Sequence, residues 1–324
     1  MAQLSGTNST YDAKGIREQL ADWISNIAPV QTPFMSNIGR GDADNTYFEW
    51  QTDTLDAVNT SNAHIEGDNI GNTTDAVTNT VRLGNRTQIS RVSGRVSRTS
   101  RSVSTAGRAD DLMYHKAKKA KVLKRDQEAI LLANQAAVAG DDSTARTTGS
   151  LLAFLKTNTS AAADGTDPTY TTVPSDTRSD GAVRSFTETL LKNVNQSVWS
   201  EGGEADILMV GPFNKGVVSG FSGIAEIRAT QPTSARSQGT IIGGADVYIS
   251  DFGPITVVPN RFQRERDALL IDPSMAKLMY LDPLVVDDLA KTGDSDAFLM
   301  VSEYGLCVNN EKAHGIIADV ATTY

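Results

Sequence analysis

His64, His115 and His314 are the only imidazoles in the chain, and they lie far apart. None has a second ligand at the short spacing that a zinc site uses. A serine nucleophile would need a Gly-x-Ser-x-Gly elbow, but Gly220-Phe221-Ser222-Gly223 has the wrong spacing. There is no phosphate-cradling loop of the P-loop or dinucleotide kind, and Gly243-Gly244 reads as a strand bend. Asp294-Ser295-Asp296 offers half of a calcium loop but lacks the downstream bidentate glutamate, so it reads as a solvated turn. Cys307 is the single cysteine, which excludes an internal disulfide framework and a cysteine-cluster metal site. Its neighbours Leu306 and Val308 make it a small buried hydrophobe. His314, beside Gly315 in a strand-like run, reads as a hydrogen-bonded structural histidine. These residue types point away from catalysis and call for no cofactor and no metal.

The chemistry that remains is charge. Residues 41–79 hold eight acids (Asp42, Asp44, Glu49, Asp53, Asp56, Glu66, Asp68 and Asp75) and no lysine or arginine. Residues 80–125 hold thirteen bases against Asp110 and Asp111, in a chain of net charge −9. Blocks this close neutralise each other in a hairpin or reach for the opposite block of another copy. A local nucleic-acid patch is the other reading of the basic block, and the acidic block beside it favours self-contact. The pI near 4.9 argues against wrapping a duplex, which demands net cationic surface.

Several elements must position these charges. The length of 324 residues fits one large or two medium domains, and 39% hydrophobic residues can fill a core. The start, Met1 to Thr10, is not a signal peptide, and no run of about 18 apolar residues exists to span a membrane. Residues 1–40 read as an arm. Within it Tyr11–Ile27 has Ile16, Leu20, Trp23, Ile24 and Ile27 at helical spacing, stopped by Pro29 and Pro33. Tyr47–Leu55 alternates as a strand, with Phe48, Trp50 and Thr52 on one face. Residues 56–80 read as a polar tip. A second strand is expected through Val81–Ser97, with Arg82 and Arg86 sharing one face and Arg91 and Arg95 sharing one face. Together they predict a two-stranded ribbon, acidic outward and basic in return, which needs other subunits to lie on.

From Arg108 to Ala139 there is no proline or glycine, and Asp110 and Asp111 stand where a helix start favours anions. Leu112, Ala117, Ala120, Leu123, Ile130, Leu131, Ala137 and Val138 trace an apolar stripe. Lys116, Lys118, Lys119, Lys121 and Lys124 fill much of the rest, and Gly140 ends the run. The spacing predicts a helix of about 30 residues, roughly 45 Å long. A helix through Phe186–Val198, a buried strand Ile207–Val210 and a short helix after Gly211-Pro212 follow. Strands are expected at Ile241-Ile242, Val247–Ile249, Ile255–Val258, Leu269–Ile271, Lys277–Leu281, Phe298–Val301 and Gly315–Val320. The class is α+β.

Thr32-Pro33-Phe34 followed by Glu49-Trp50-Gln51-Thr52-Asp53 resembles the N-terminal signature of a tailed-bacteriophage major capsid protein family. Ile207 to Phe221, Asp251 to Arg261, Ala268 to Pro273 and Glu303 to Gly315 resemble later segments of it, in order. The resemblance implies the Hong Kong 97-type capsid fold: arm 1–40, extended hairpin loop 41–104, peripheral domain with spine helix 105–184, axial domain 185–265, and strands 266–324 returning to the peripheral domain. It implies pentamers and hexamers in an icosahedral head around packaged DNA, which is enclosed but not specifically bound. Portal, scaffolding and decoration proteins are the further partners. Trp23, Asp42, Asp44, Glu49, Asp53, Asp56, Arg82, Arg86, Arg91, Arg95 and Arg98 are the expected inter-subunit contacts. An encapsulin-like nanocompartment and a tail or fibre protein are the rival readings; the long mid-chain helix argues against the second.

At one point the resemblance stops. Some relatives of this fold are cross-linked by a hairpin-loop lysine that attacks a neighbour's asparagine. Here no lysine stands between Lys14 and Lys116. Guanidinium stays protonated and cannot replace the amine, so non-covalent contacts are expected to hold the shell.

Overall fold

A computed structural model describes residues 31–56, 58–67, 79–105, 107–221, 246–291 and 293–323. The expected arm helix with Trp23, and the expected Ile241-Ile242 strand, lie outside the described residues.

Pro33 pre-sets φ for a first helical turn, and Pro33–Asn37 forms a short helix, α1. Gly39–Asp42 (β1) follows, then the ribbon strands Tyr47–Thr52 (β2) and Val81–Arg86 (β3), antiparallel from Tyr47↔Arg86 to Thr52↔Val81. The expected strand through Ser97 breaks at Thr87. Gln88–Ser97 (β4) leaves the ribbon and pairs instead with Ser295–Val308 (β11), placing Arg91 opposite Val301 and Arg95 opposite Ala297. Arg91 and Arg95 therefore do not lie on the ribbon. The cause is local. The Thr87 carbonyl accepts from Arg146 Nε, its hydroxyl donates to Glu303, and its N–H donates to the Thr46 carbonyl. These partners hold the hinge between the two directions of pairing. Arg98 opens a short helix, Arg98–Ser102 (α2), capped by the Ser97 hydroxyl, and so also lies beyond the ribbon. Asp42 sits in β1, parallel to Ala276–Leu289 (β10), opposite Tyr280.

The long helix, α3, spans Asp111–Leu131, with Asp110 capping Leu112 N–H. It is 21 residues, about 31 Å, shorter than the sequence suggests. No breaker residue ends it. Asn134 exchanges hydrogen bonds with the Arg178 backbone, Gln135 reaches Gln88 and the Thr148 carbonyl, and Val138 bridges Thr147. Tertiary partners for polar side chains outweigh the good helix propensity of residues 132–139, since propensity differences amount to only about 0–0.7 kcal/mol per ordinary residue.

β10 and β11 are 14 residues each, much longer than the strands expected there, and pair antiparallel with irregularities around Asp282. Pro283 and the acids near it hid this strand, and the bulges absorb the missing donor. The resulting sheet has the order β1-β10-β11-β4. α3 lies against it through Leu123, which packs on Phe298 and Met300 with Val92, Leu112 and Ala120 around them.

A second sheet is built from Thr159–Ser160 (β5), Ile207–Val210 (β6), Val247–Ser250 (β7), Gly253–Pro259 (β8), Ala268–Ile271 (β9) and Gly315–Ile317 (β12), in the order β5-β12-β9-β6-β8-β7. Leu151–Phe154 (α4) precedes it, and Glu188–Ser200 (α5) and Pro212–Val218 (α6) pack against it. Leu191, Val194 and Val198 of α5 and Val218 of α6 pack on Leu208, Val210, Val257 and Leu270. The largest core joins both sheets: Phe34, Leu131, Leu151 and Phe154 meet Met209, Leu269, Leu278, Tyr304 and Leu306.

Candidate inter-subunit surfaces

Before any surface can face a neighbour, the chain entering the fold must be fixed. Glu128 of α3 is fully buried. It accepts Phe34 N–H and Met35 N–H at 2.8 and 2.9 Å, and Asn260 Nδ2 at 2.8 Å. It does the work of an N-cap for α1, whose own Thr32 side chain makes no cap bond. Burial pushes its carboxyl up, while the two backbone donors, Asn260 and Lys124 pull it down. Thr32-Pro33-Phe34 is thus tied to the long helix and to the segment after β8. Sequence reading missed Glu128, although Leu123, Gln127 and Leu131 put it on the edge of the buried stripe.

The ribbon is held on one side by aromatics. Phe48 and Trp50 stack at 5.8 Å, and Trp50 meets Phe154 at 6.0 Å, as the expected face of β2 requires. Gly305 allows this approach: a Cβ there would stand 2.6 Å from the Phe48 ring. On the other face Glu49 pairs with Arg82 at 3.1 Å, Tyr47 OH donates to Glu49 at 3.0 Å, and Arg86 lies 5.1 Å over the Tyr47 ring. Burial and the Glu49 carboxylate raise the Tyr47 phenol. The acidic and basic strands neutralise each other here within one chain. Fully buried Asn85 of β3 pins the ribbon to the body. Its Nδ2 donates to the carbonyls of Leu306 (2.6 Å) and Gly149 (3.0 Å), and its Oδ1 accepts Gly149 N–H at 2.8 Å.

Beyond β2 the charges stay outward. Asp53 and Asp56 are exposed, and between and after them Leu55, Val58 and Ile65 are 99%, 91% and 81% exposed. Asp42 and Asp44 are exposed near β1. The sheet face turned away from α3 carries Ile89, Arg91, Ser93 and Arg95 on β4. Beside them stand Leu299 and Val301 on β11, and Val285, Asp287 and Leu289 on β10. Its centre is apolar, and its β4 edge is cationic. The expected solvated turn at Asp294-Ser295-Asp296 is instead the start of β11, with Ser295 and Asp296 paired to β4. Arg98 pairs with Asp294 at 2.9 Å, and Asp296 takes Arg101 and Lys291, so these acids answer arginine and lysine.

A buried charge cluster, also missed in the sequence, joins the C-terminal strand to the loops at 162–181 and 264–267. Asp319 accepts Arg266 at 2.7 Å, Gly181 N–H at 2.9 Å and Ala162 N–H at 3.1 Å. Asp180 takes Arg264 at 2.5 Å and Arg266 at 3.3 Å. Among the described residues Asp267 pairs with Arg264, at 3.4 Å, and has no hydrogen bond to either oxygen; burial pushes it up to about 6. Cys307 is buried, which pushes its thiol up to about 12. His314 accepts Asp272 N–H at 3.2 Å through Nδ1, and full burial lowers it to about 4. Among the described residues no group of three or more histidines, cysteines and acids is placed to hold a metal, and no helix is long and apolar enough to cross a membrane.

The whole chain has counterparts. A sequence model of the SU10 major capsid protein family matches residues 3–321. The major capsid protein of Escherichia phage Phieco32 is 28% identical, with 96% of each chain covered. Among solved structures, the cyanophage A-1(L) capsid has a TM-score of 0.68 at 11% identity, covering 97% of this chain and 99% of that one. The SrpI encapsulin of Synechococcus elongatus has a TM-score of 0.53 at 10% identity, covering 93% of each. With a family match from end to end, a capsid relative of equal length and this fold, the chain belongs to the SU10 major capsid protein family, and it is a phage major capsid protein of Hong Kong 97-type fold.

Proposed function

We propose that this subunit assembles into pentamers and hexamers that close an icosahedral head around packaged DNA. In this reading the unit built on α3 and the four-stranded sheet is peripheral, and the six-stranded sheet with α5 and α6 is axial. Portal, scaffolding and decoration proteins are the further partners, and no enzymatic step is required of the chain. The observation that carries the assembly reading is a complementary pair of exposed surfaces on one chain. The excursion at Asp53–Gly67 is acidic and apolar, with Leu55, Val58 and Ile65 presented almost entirely to solvent. The outer face of β4 and β11 is basic and apolar, with Arg91 and Arg95 beside Ile89, Leu299 and Val301.

An exposed apolar patch rimmed by charge marks a protein contact. The excursion of one copy fits the sheet face of another, with Asp53 and Asp56 meeting Arg91 and Arg95. Arg98 follows β4, and Glu49, Arg82 and Arg86 lie on the ribbon that carries the excursion; Asp42 and Asp44, at the β1 edge of the sheet, are candidate contacts away from this pair of surfaces. Trp23, outside the described residues, is a further apolar anchor on the sequence reading alone. Each exposed ion pair contributes only about 0–1 kcal/mol, but the contact repeats at every subunit. The Arg91→Glu/Arg95→Glu protein should stay folded by circular dichroism and fail to close shells under the electron microscope. Normal shells from that variant at low salt would sink the proposed contact. An encapsulin-like compartment is the second reading, favoured by the SrpI likeness; protein cargo and no DNA in purified particles would select it.

A further inference from the structure

The exposed side of α3 carries Lys118, Lys121 and Lys124. None of the three has an ion pair or hydrogen bond among the described residues. Lys124 reaches buried Glu128 only through its longer-range field. Their helix neighbours differ: Lys116 pairs with Asp288 at 2.6 Å, and Arg125 lies 5.9 Å over the Phe262 ring. Lys118 and Lys124 each stand three residues from Lys121, so like charges face each other across one helix turn, a local cost to the helix. Lys121 and Lys124 also rim a groove of about 720 Å³ between α3 and β10, where Arg40 adds a third cation and Asp42 is the single acid. This side lies across the sheet from the face assigned above to a second copy.

We propose that this lysine face is a sequence-independent contact for the phosphates of double-stranded DNA. The inference rests on the reading that the shell encloses DNA, and it names where the subunit meets it. Three positions three residues apart span about 9 Å of helix axis at 1.5 Å per residue. On each strand of a duplex, phosphates recur about every 3.4 Å of helix axis, so the face matches two or three of them. Flexible ammonium groups act as point charges, which suits phosphate and carries no base readout. The net negative chain keeps the contact weak, so DNA is held off most of the surface and touched at this stripe.

The test uses purified full-length protein before assembly, titrated with a labelled 30-base-pair duplex between 50 and 200 mM salt. Three phosphate contacts predict a slope of log affinity against log salt of about −3, roughly a 40-fold loss over that range. Lys118→Gln/Lys121→Gln/Lys124→Gln should bring the slope near zero. The triple arginine variant should keep it, and Lys121→Gln alone should reduce it by about 1. A glutamine variant with unchanged slope, or an arginine variant that loses binding, overturns the proposal. Tighter binding of poly-glutamate than of duplex at equal charge also overturns it and marks an acidic protein as the occupant. Electron microscopy of the same samples keeps the two readings apart. Shells from the glutamine variant with the slope lost support this contact. Wild-type protein that forms no shells brings down the shell reading while the measured slope stands.

Discussion

At Glu128 three donors converge on one buried carboxylate. Replacing it with leucine leaves Phe34 N–H and Met35 N–H without an acceptor, and Asn260 Nδ2 with only the weakly accepting Met209 sulfur. Each stranded buried donor costs about 1–3 kcal/mol, so Glu128→Leu should destabilise by at least about 2 kcal/mol in urea titration. Glu128→Gln keeps one acceptor oxygen and should lie between. Asp267 gives a pH signature instead. Its carboxyl sits near 6 in the fold and near 3.9 in an unfolded chain. The folded state thus binds the extra proton between those values. Its contribution to stability is fully present below about pH 4 and is lost as pH rises through 6. Asp267→Asn should remove that decline, which is on the order of 3 kcal/mol, and should be more stable than wild type at pH 7. Equal pH slopes in the two proteins would show that Asp267 is not the titrating group.

At the scale of elements, α3 and its sheet are one unit. Leu123 is 2% exposed and lies on Phe298 and Met300. Leu123→Pro removes a backbone donor in mid-helix and clashes with the preceding turn, a loss of about 3 kcal/mol or more. That protein should be insoluble or lack the cooperative transition. A soluble, assembling Leu123→Pro chain would contradict the packing. β4 is coupled to the same unit through a close approach: a Cβ at Gly94 would lie 2.5 Å from the Phe298 ring. Gly94→Val should therefore expand the α3 side of the sheet and lower the melting temperature, whereas the outward-facing Ser93→Val should not.

For the whole molecule, locking by covalent bonds lacks its nucleophile in the ribbon. No lysine lies between Lys14 and Lys116, and Cys307 is single and buried. Particles boiled in denaturing detergent should run as one band near 34.6 kDa. A ladder of resistant multimers would reveal a cross-link. High salt should loosen the shell first at exposed charge pairs, since the screening length falls from about 10 Å at 0.1 M to about 3 Å at 1 M, the distance across a contact pair.

The amino-acid order alone determined the α+β class, the presence of a long mid-chain helix, the Phe48/Trp50 face, α5, the buried Ile207–Val210 strand and the capsid family, because periodicity and signature phrases are local properties. It also marked Cys307 as buried, from its apolar neighbours, and His314 as a hydrogen-bonded structural histidine, from its strand-like run. Tertiary structure decided what depends on distant partners. Residues 132–139 have the composition of a helix, yet Arg178, Gln88 and Thr148 hold them otherwise. The basic run at 81–97 looks like one strand, yet Thr87 and Glu303 divide it between two sheets. Asn85, Glu128 and Asp319 carry no local sign of burial, because polarity alone signals water. They are buried because each meets complementary donors contributed by segments far away in the chain, and no local pattern records that meeting.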